Sequence, residues 1–567
     1  MPEGLLAPRL YRAAFAPALF ALIVLAFSLQ DPGRAVPPEL SPPGFSAARA
    51  TQFANQAVQN YGARESGSVQ DQRLADLVQA RMEGVGFNTR RSDFSAVTLS
   101  GKRTLSSVVG IRPGISDRRL LVIASRDGAP GELQRSGALE TGILLELARV
   151  IEGRTFDHTV VLVSVSGGVD GGLGAEHVVR TLRGPFDAVL VVRNVGSKLA
   201  SAPVLISGDS RMLPDERYVR TVRRIAGIEF ARGSQDQRRS VPAQLVRLGF
   251  PVALGEQATF AGSGVSGVSV SPGGEPLAAP GAAAAAQVAD VGQIALRTLT
   301  TMDDDALAAD PPTAAPLRVG GKLIPHRALV LLIATLFFPL LVASIDSWAR
   351  ARRWRQVSQR GLLAPAIALG WLLVLGFLLR GVGLSGIIDA PPLPPDPAAV
   401  TGAGATAIGI FVLLMAVLGV LVAAAAARQA TPKGGEAAFA LWVVFTGLLV
   451  FVVNPIAAGF LLLLLHLVVL MLLTADSPRR RQVFALTLTG LAPLLLAAAY
   501  FPIVFGIGAG GILRYAVLLE AGGFISPLAM AAGCAVAAAV GTALIHLWWS
   551  APRATNTAAR RPVAQPF

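Results

Sequence analysis

Seven apolar runs, each 17 to 23 residues long, fill the chain after residue 327. They are Ala328–Ile345, Leu362–Leu379, Ala405–Ala427, Ala437–Val453, Pro455–Thr474, Val483–Phe501 and Pro527–Trp549. A helix crossing a hydrocarbon core of ~30 Å needs about 20 apolar residues, so these lengths predict membrane spans. The fourth and fifth runs form one stretch of 38 residues. As a helix it would be about 57 Å long at 1.5 Å per residue, too long for a single span. Asn454-Pro455 divides it, because proline removes a backbone donor and disfavours helix in the residue before it. An eighth run, Ala13–Leu29, follows Arg9 and Arg12 in the manner of a signal peptide. No small-x-small cleavage pattern is evident in Phe27-Ser28-Leu29-Gln30-Asp31, so an uncleaved anchor is favoured over a cleaved signal.

Charge placement orients these spans. The 567-residue chain has a formal net charge of +14, yet fifteen Lys/Arg against four Asp/Glu fall in the segments that eight spans put inside the cell. The inner loops hold Arg350, Arg352, Arg353, Arg355 and Arg360, then Arg428 and Lys433, then Arg479, Arg480 and Arg481, then Arg553, Arg560 and Arg561. The alternate loops hold Arg380 against Asp389 and Asp396, the bare Asn454-Pro455 turn, and Arg514 with Glu520. Every inner loop is net positive and no outer loop is, which places both termini in the cytoplasm and residues 31–327 outside it. This pattern uses up most of the basic excess. No basic stripe is interleaved with aromatics, so nucleic acid is not an expected partner. Charged residues make up only 15% of the chain against roughly 25% in soluble domains, while hydrophobic ones reach 52%. The single cysteine, Cys534, excludes a disulfide within one chain, so the outer domain rests on its core alone. His466 and His546 lie within apolar runs and read as interhelical hydrogen-bonding groups. Gly506–Gly523 is too short and polar to span and reads as an interfacial helix in preference to a re-entrant segment.

Between the anchor and the later spans the sequence has soluble character. Pro37–Pro43 reads as a spacer. Helices are predicted at Ser46–Tyr61, Val69–Met82, Gly137–Ile151, Leu173–Leu182, Pro214–Ile225 and Ala283–Thr300. Strands are predicted at Ser107–Ile111, Leu120–Ala124, Thr159–Val165, Ala188–Val192, Val204–Ser207 and Val252–Leu254. Strands alternating with helices imply an α/β domain with a mostly parallel sheet and helices on both faces. The expected organisation is an anchor (1–30), the α/β domain (31–301), a flexible tether (302–327), a seven-helix bundle (328–549) and a basic tail (550–567). Sites in such sheets form at the carboxyl ends of strands. Those ends read Ser125-Arg126-Asp127-Gly128, then Ser166-Gly167-Gly168-Val169-Asp170-Gly171-Gly172, then Arg193-Asn194-Val195-Gly196. The glycine cluster is neither a P-loop nor a dinucleotide fingerprint and reads as a loop needing positive φ.

Four short motifs, in order and at matching spacing, resemble the co-catalytic zinc aminopeptidases, a group that includes the glutaminyl cyclases. They are Arg64-Glu65-Ser66-Gly67-Ser68, Leu145-Glu146-Leu147-Ala148-Arg149, Gly172-Leu173-Gly174 and Gly249-Phe250-Pro251, and the likeness covers roughly residues 45–300. It implies a two-zinc site, and the residues at the matching positions do not supply one. The first histidine ligand falls on Ser125, with Asp127 kept. The bridging aspartate falls on Ser136, the general base on Val169 and its neighbouring ligand on Asp170. The next aspartate falls on Asn194, and the last histidine on or near Pro242. A zinc pair needs several His and carboxylate ligands, with a base to move a proton, so zinc is not expected and no cofactor is. The layout of one N-terminal span, a metal-poor peptidase-like domain and a C-terminal bundle is similar to that of the aminopeptidase-like subunit of the GPI transamidase complex.

The resulting expectation is a pseudo-aminopeptidase that binds or scaffolds in the cell envelope. Its partners would be the lipid bilayer and a peptide, glycan or protein outside the cell. Two alternatives stay open: a metallopeptidase using His158, His177 and Asp170, and a transporter or envelope-assembly component. A Ser-His-Asp set from Ser125, Asp127, Asp170 and His177 lacks the elbow that presents a nucleophile. Arg126, Arg193, Arg238 and Arg239 are candidates for an anion-binding cleft. The orientation is tested by reporter fusions: alkaline phosphatase joined after residue 301 is expected to be active, and joined after residue 356 inactive.

Overall fold

The computed structural model describes residues 6–38, 44–128, 131, 134–182, 184–200, 202–208, 211–230, 240–278, 280–281, 284–304, 310–353, 359–386, 403–427, 432–474 and 478–551. Arg238, Arg239, Asp389, Asp396, Arg355, Arg428, Arg553, Arg560 and Arg561 lie outside them, as does most of the Pro37–Pro43 spacer. The first apolar run forms α1 (Pro8–Ala13) and α2 (Ala16–Phe27).

The apolar runs that follow build a seven-stranded sheet. Its strands are β1 (Asn88–Thr98), β2 (Gly101–Arg112), β3 (Ser116–Ser125), β4 (His158–Val165), β5 (Phe186–Val192), β6 (Val204–Leu205) and β8 (Gly267–Val270), with β7 (Met212–Leu213) outside the sheet. Their order is β1-β2-β4-β3-β5-β8-β6. The central four, β4-β3-β5-β8, run parallel, and antiparallel strands flank them on both sides. Side chains alternate between faces along a strand. Leu120, Val122, Val160, Leu162, Leu190 and Val192 therefore enter one core, while Leu121, Ile123, Val161, Val163, Val189 and Val191 enter the other. Both faces are buried, which is why these strands read as unbroken apolar runs.

Helices cover both faces. They are α3 (Ala47–Tyr61), α4 (Val69–Gly84), α5 (Gln134–Val150), α6 (Leu173–Thr181), α7 (Glu216–Glu229), α8 (Val241–Gly249), α9 (Ala258–Gly262) and α10 (Ala284–Asp303). Ser46, Ser68, Asp215 and Ser240 begin four of them by accepting hydrogen bonds from first-turn amides, the role that short oxygen-bearing side chains fill best. Two strands escape the sequence pattern. β1 is a polar edge with much of its surface exposed, and β8 is only four residues long. The expected strand Val252–Leu254 is instead loop. Its apolar residues are covered by the helical bundle, in a cluster of Leu254 with Phe505 and Tyr515, so burial without sheet pairing produced the strand-like pattern.

The expected flexible tether is structured over its described residues. β9 (Thr313–Ala314) pairs with β7, and β10 (Leu317–Val319) pairs with β11 (Lys322–Ile324). Ala315, Leu317 and Ile324 are buried, and Leu323 exchanges backbone hydrogen bonds with Gln30 just after α2. Beyond it come α11 (His326–Arg353), α12 (Gln359–Leu384), α13 (Ala403–Ala427), α14 (Pro432–Val453), α15 (Pro455–Leu473), α16 (Arg480–Phe505), α17 (Ala509–Ala521) and α18 (Pro527–Ser550). With the N-terminal segment Pro8–Phe27, seven of these make eight helices, among the described residues, long and apolar enough to cross a membrane. α17 is too short, and its Glu520 pairs with Arg380 of α12 at 3.5 Å. The N-terminal segment packs within the bundle. Tyr11 bonds Nδ1 of His466 at 2.6 Å, and Nε2 of that ring meets the Leu336 carbonyl at 3.1 Å, an interhelical link of the kind expected for His466.

The two halves meet where α8 rests on α15 and α16. Asn454 Oδ1 accepts from the amides of Ile456 and Ala457 and starts α15, while its Nδ2 donates to the carbonyls of Leu248 (3.1 Å) and Gly249 (2.8 Å). Gly249 lies so close to the bundle that a Cβ there would meet the Phe460 ring at 3.0 Å. Arg247 is sandwiched above. It pairs with Glu275, bonds the Tyr500 hydroxyl at 3.2 Å, and lies 5.5, 5.9 and 5.2 Å from the ring centroids of Tyr500, Phe501 and Phe505. Such contacts strengthen when desolvated. Asn454→Asp keeps the helix cap but turns two donors into acceptors facing carbonyls. It is expected to cost about 2 kcal/mol and to make the 240–257 segment protease-sensitive in detergent while the bundle stays resistant.

Candidate functional site

The carboxyl ends of β3, β4 and β5 meet the start of α5 around a cavity of about 20 Å³ lined by Ser125, Asp127, Ser136, Glu140, Val169 and Arg193, among others. That volume fits one water molecule and no amino-acid side chain. The structure thus brings together five of the nine predicted positions: Ser125, Asp127, Ser136, Val169 and Arg193.

What closes the cavity is a set of mutual contacts. Ser125 donates to Glu256 Oε1, and Ser136 donates to Glu140 Oε1 at 2.9 Å. Glu140 Oε1 also accepts from the Asn194 amide at 2.8 Å. Asp127 accepts from the amides of Gly168 (3.1 Å) and Val169 (3.0 Å) and from the Ser66 hydroxyl (3.0 Å). The glycine loop permits this approach. Gly167, Gly171 and Gly172 have positive φ, and a Cβ on Gly168 would fall 2.0 Å from Ser125 Oγ. Positive φ explains the glycine cluster as the sequence suggested. Asn194 turns away from the cavity. At φ 52°, a conformation asparagine tolerates, its Nδ2 donates to Ser271 Oγ and to the carbonyls of Gly274 and Pro276.

Three expected positions stand apart. Asp170 is buried and accepts from the Leu99 amide at 2.8 Å, without lining the cavity. Pro242 is exposed in the first turn of α8. Arg126, expected in an anion-binding cleft, is wholly internal. It pairs with Asp71 at 2.9 Å and donates to the carbonyls of Ser164 and Ser106 and to Ser106 Oγ. A guanidinium at the strand end that packs inward between strands stitches the sheet and does not meet solvent. Arg193 does line the cavity, with Gly255 (φ 101°) folded against it.

Glu140 and Glu256 are the site residues that motif reading missed. Glu140 sits one helical turn after Ser136 on the same face of α5, a spacing visible in the sequence. Glu256 had no signal, since it follows the segment mistaken for a strand. Both are buried beside Arg193. Burial, then the neighbouring Glu256, pushes the Glu140 carboxyl up to about 8, while Arg193 and the Ser136 and Asn194 donors oppose it. Burial and the charge of Asp71 push Asp127 up to about 7. Burial also raises Glu256. A buried carboxyl of this kind is protonated or balanced by a cation.

The alternative constellations do not assemble. His158 begins β4 and bonds Asp187 (2.8 Å) and Asp303 (3.1 Å). Asp170 lies beyond the other end of that eight-residue strand, roughly 23 Å away at 3.3 Å per residue. His177 stacks on Phe94 with ring centroids 4.0 Å apart and bonds Ser92 at 2.9 Å. Among the described residues no three His, Cys, Asp or Glu converge in a group suited to hold a metal ion. The two-zinc site that the resemblance implies therefore does not fit these residues.

The pH dependence follows from the raised carboxyls. The folded state holds protons that the unfolded chain releases above about pH 4.5, so the stability these carboxyls contribute is full below that pH and is lost as pH rises through about 7 for Asp127 and about 8 for Glu140. Glu140→Gln is expected to flatten the thermal-denaturation profile between pH 5 and 8, with a relative gain on the order of 2 kcal/mol at pH 8.

No protein-family model matches the chain, and no curated protein is similar to it. Its fold is similar to solved zinc aminopeptidases and glutaminyl cyclases. A glutaminyl cyclase of Fimbriiglobus ruber is 17% identical, over 47% of this chain and 99% of the other, with a TM-score of 0.37. A zinc aminopeptidase of Bacillus subtilis is 12% identical, over 48% and 99%, with a TM-score of 0.37. A leucine aminopeptidase precursor of Bacteroides thetaiotaomicron is 14% identical, over 47% and 99%, with a TM-score of 0.36.

Proposed function

We propose that this chain is a multi-pass membrane protein whose α/β domain is a catalytically silent peptidase-like module that binds or scaffolds outside the cytoplasm. The eight apolar helices support the membrane assignment, and the positive inner loops support an outward α/β domain with both termini inside. The observation that carries the silent reading is the closure of the strand tips. Ser125, Ser136, Glu140, Asn194 and Glu256 bond within the protein, and the cavity left is about 20 Å³.

A peptidase needs an open position for water and substrate, and a base. Val169 at the base position has no proton to move, and Asp170 faces the Leu99 amide. Arg193 supplies positive charge beside Glu140 and Glu256, the role a metal ion has in a metallopeptidase. A fixed guanidinium balances buried carboxylates but does not activate water. The layout resembles that of the aminopeptidase-like subunit of the GPI transamidase complex, a resemblance of architecture that assigns no substrate.

The test is metal analysis of the full-length protein in detergent after zinc loading and desalting, with an aminoacyl reporter assay alongside. The expected result is fewer than two zinc equivalents and no chelator-sensitive release. Two tightly held equivalents would overturn the reading. Chelator-sensitive release of the aminoacyl reporter would overturn it as well.

A further inference from the structure

The C-terminal ends of α13 and α18 and the N-terminal end of α16 frame an open groove of about 380 Å³. That lies within the ~300–1,000 Å³ of ordinary ligand sites. Leu421 enters it from α13, Val483, Phe484 and Thr487 from α16, and Ile545 and Trp548 from α18. Leu421, Phe484 and Trp548 are exposed, so the groove opens on the outer surface of the helical bundle. All three helix ends adjoin loops whose basic residues assign them to the cytoplasmic face.

One end of this apolar groove is cationic. Arg479, Arg480 and Arg481 stand at the start of α16, and none of them pairs with a carboxylate among the described residues. Counting Asp476, which lies outside those residues, the segment 475–482 keeps a charge of +2. Arg480 lies one turn before Val483 and Phe484 on the same helix face, and its Cζ is 5.4 Å from the centroid of the Trp548 ring. A guanidinium stacked on a ring keeps its in-plane N–H groups available to an acceptor. Arg480 Nε is buried without a hydrogen-bond partner, and so is Thr487 Oγ1 within the groove. A helical threonine ordinarily bonds the carbonyl one turn back. Three cations at a helix N-terminus also oppose its dipole, so a bound anion would offset both their mutual repulsion and the unmet Nε donor.

We propose that this groove holds an anionic phospholipid of the cytoplasmic leaflet. Its phosphate sits at Arg480 beside Arg479 and Arg481, its ester region faces Thr487, and one acyl chain follows Leu421, Phe484 and Ile545. Basic pockets between membrane helices on the cytoplasmic side suit anionic headgroups, and tryptophan at a helix end marks headgroup depth. The inference rests on the membrane reading above, which the reporter fusions test separately. The groove is distant in the fold from the strand tips, so the zinc result does not bear on it.

The experiment titrates the full-length protein in detergent with dioleoyl phosphatidic acid, dioleoyl phosphatidylcholine and glycerol 3-phosphate, read by native mass spectrometry and thermal shift. Saturable phosphatidic acid binding about fivefold tighter than phosphatidylcholine is expected, the factor one arginine near an anionic headgroup supplies. Arg480→Gln should remove that preference. Leu421→Trp, at an exposed position, narrows the groove without removing a charge and should weaken both lipids. Where Arg480→Gln lowers the lipid-free melting temperature, the paired Arg479→Gln and Arg481→Gln variant, at exposed positions, reads the same preference. Arg353→Gln, exposed at the end of α11, is the control for loop charge in general and should change nothing. Equal affinity for the two lipids would overturn the proposal. So would binding unchanged in Arg480→Gln and Leu421→Trp, or a loss in Arg353→Gln as large as in Arg480→Gln. Glycerol 3-phosphate binding as tightly as the lipid would overturn it too, by assigning the anion to solution.

Discussion

One continuous segment, Arg247 to Gln257, connects the apolar helical bundle to the tips of the central sheet. At one end Arg247 is held among Tyr500, Phe501 and Phe505, and Asn454 fixes the carbonyls of Leu248 and Gly249. Leu254 then packs on α16 and α17. Two residues later Glu256 reaches Ser125, and Gly255 turns against Arg193. Docking on the bundle therefore sets where Glu256 stands, and Glu256 helps close the site. An isolated α/β domain would expose this apolar segment to water, at roughly 25 cal/mol per Å².

The closed site illustrates how charge is accommodated in a dry interior. Burying an ionised carboxylate without a partner is costly, so a buried group either neutralises or acquires a cation. Glu140 and Asp127 are held well above the usual carboxylate range, and Arg193 sits beside Glu140 and Glu256. Below them Arg126 and Asp71 form a second, wholly internal pair surrounded by the carbonyls and hydroxyls of β2 and β4. Removing one member of such a pair leaves the other uncompensated. The strand tips are thus held by polar contacts around a cavity of about 20 Å³, and a larger cavity, of about 260 Å³, lies beside the helical bundle.

The motifs quoted from the sequence all have structural roles in this chain. Arg64 donates to the carbonyls of Arg126, Gly62 and Gln134, and Gly67 and Ser68 begin α4. Glu146 of α5 binds Arg49 and Arg149 and fixes α3. Gly172 lets the loop turn beneath Glu256, and Gly249 admits the Phe460 ring. Each is a backbone or packing requirement of the fold.

The sequence by itself determined the helices long and apolar enough to cross a membrane, because a fixed hydrocarbon thickness imposes a fixed run length. It also determined the parallel centre of the sheet, because strands buried on both faces must be apolar at every position. The convergence of Ser125, Asp127, Ser136 and Val169 was legible too, because the carboxyl ends of neighbouring parallel strands meet at one edge of the sheet. Long-range contacts were not legible. Only the tertiary structure decided that Arg126 points inward, that Glu256 closes on Ser125 across 131 positions, and that Val252–Leu254 packs on helices in place of pairing in a sheet. Only it brought α7, α8 and the 310–325 segment around a single cavity. Burial pattern records that a residue is covered, but not by what, and the covering elements here lie far away in the chain.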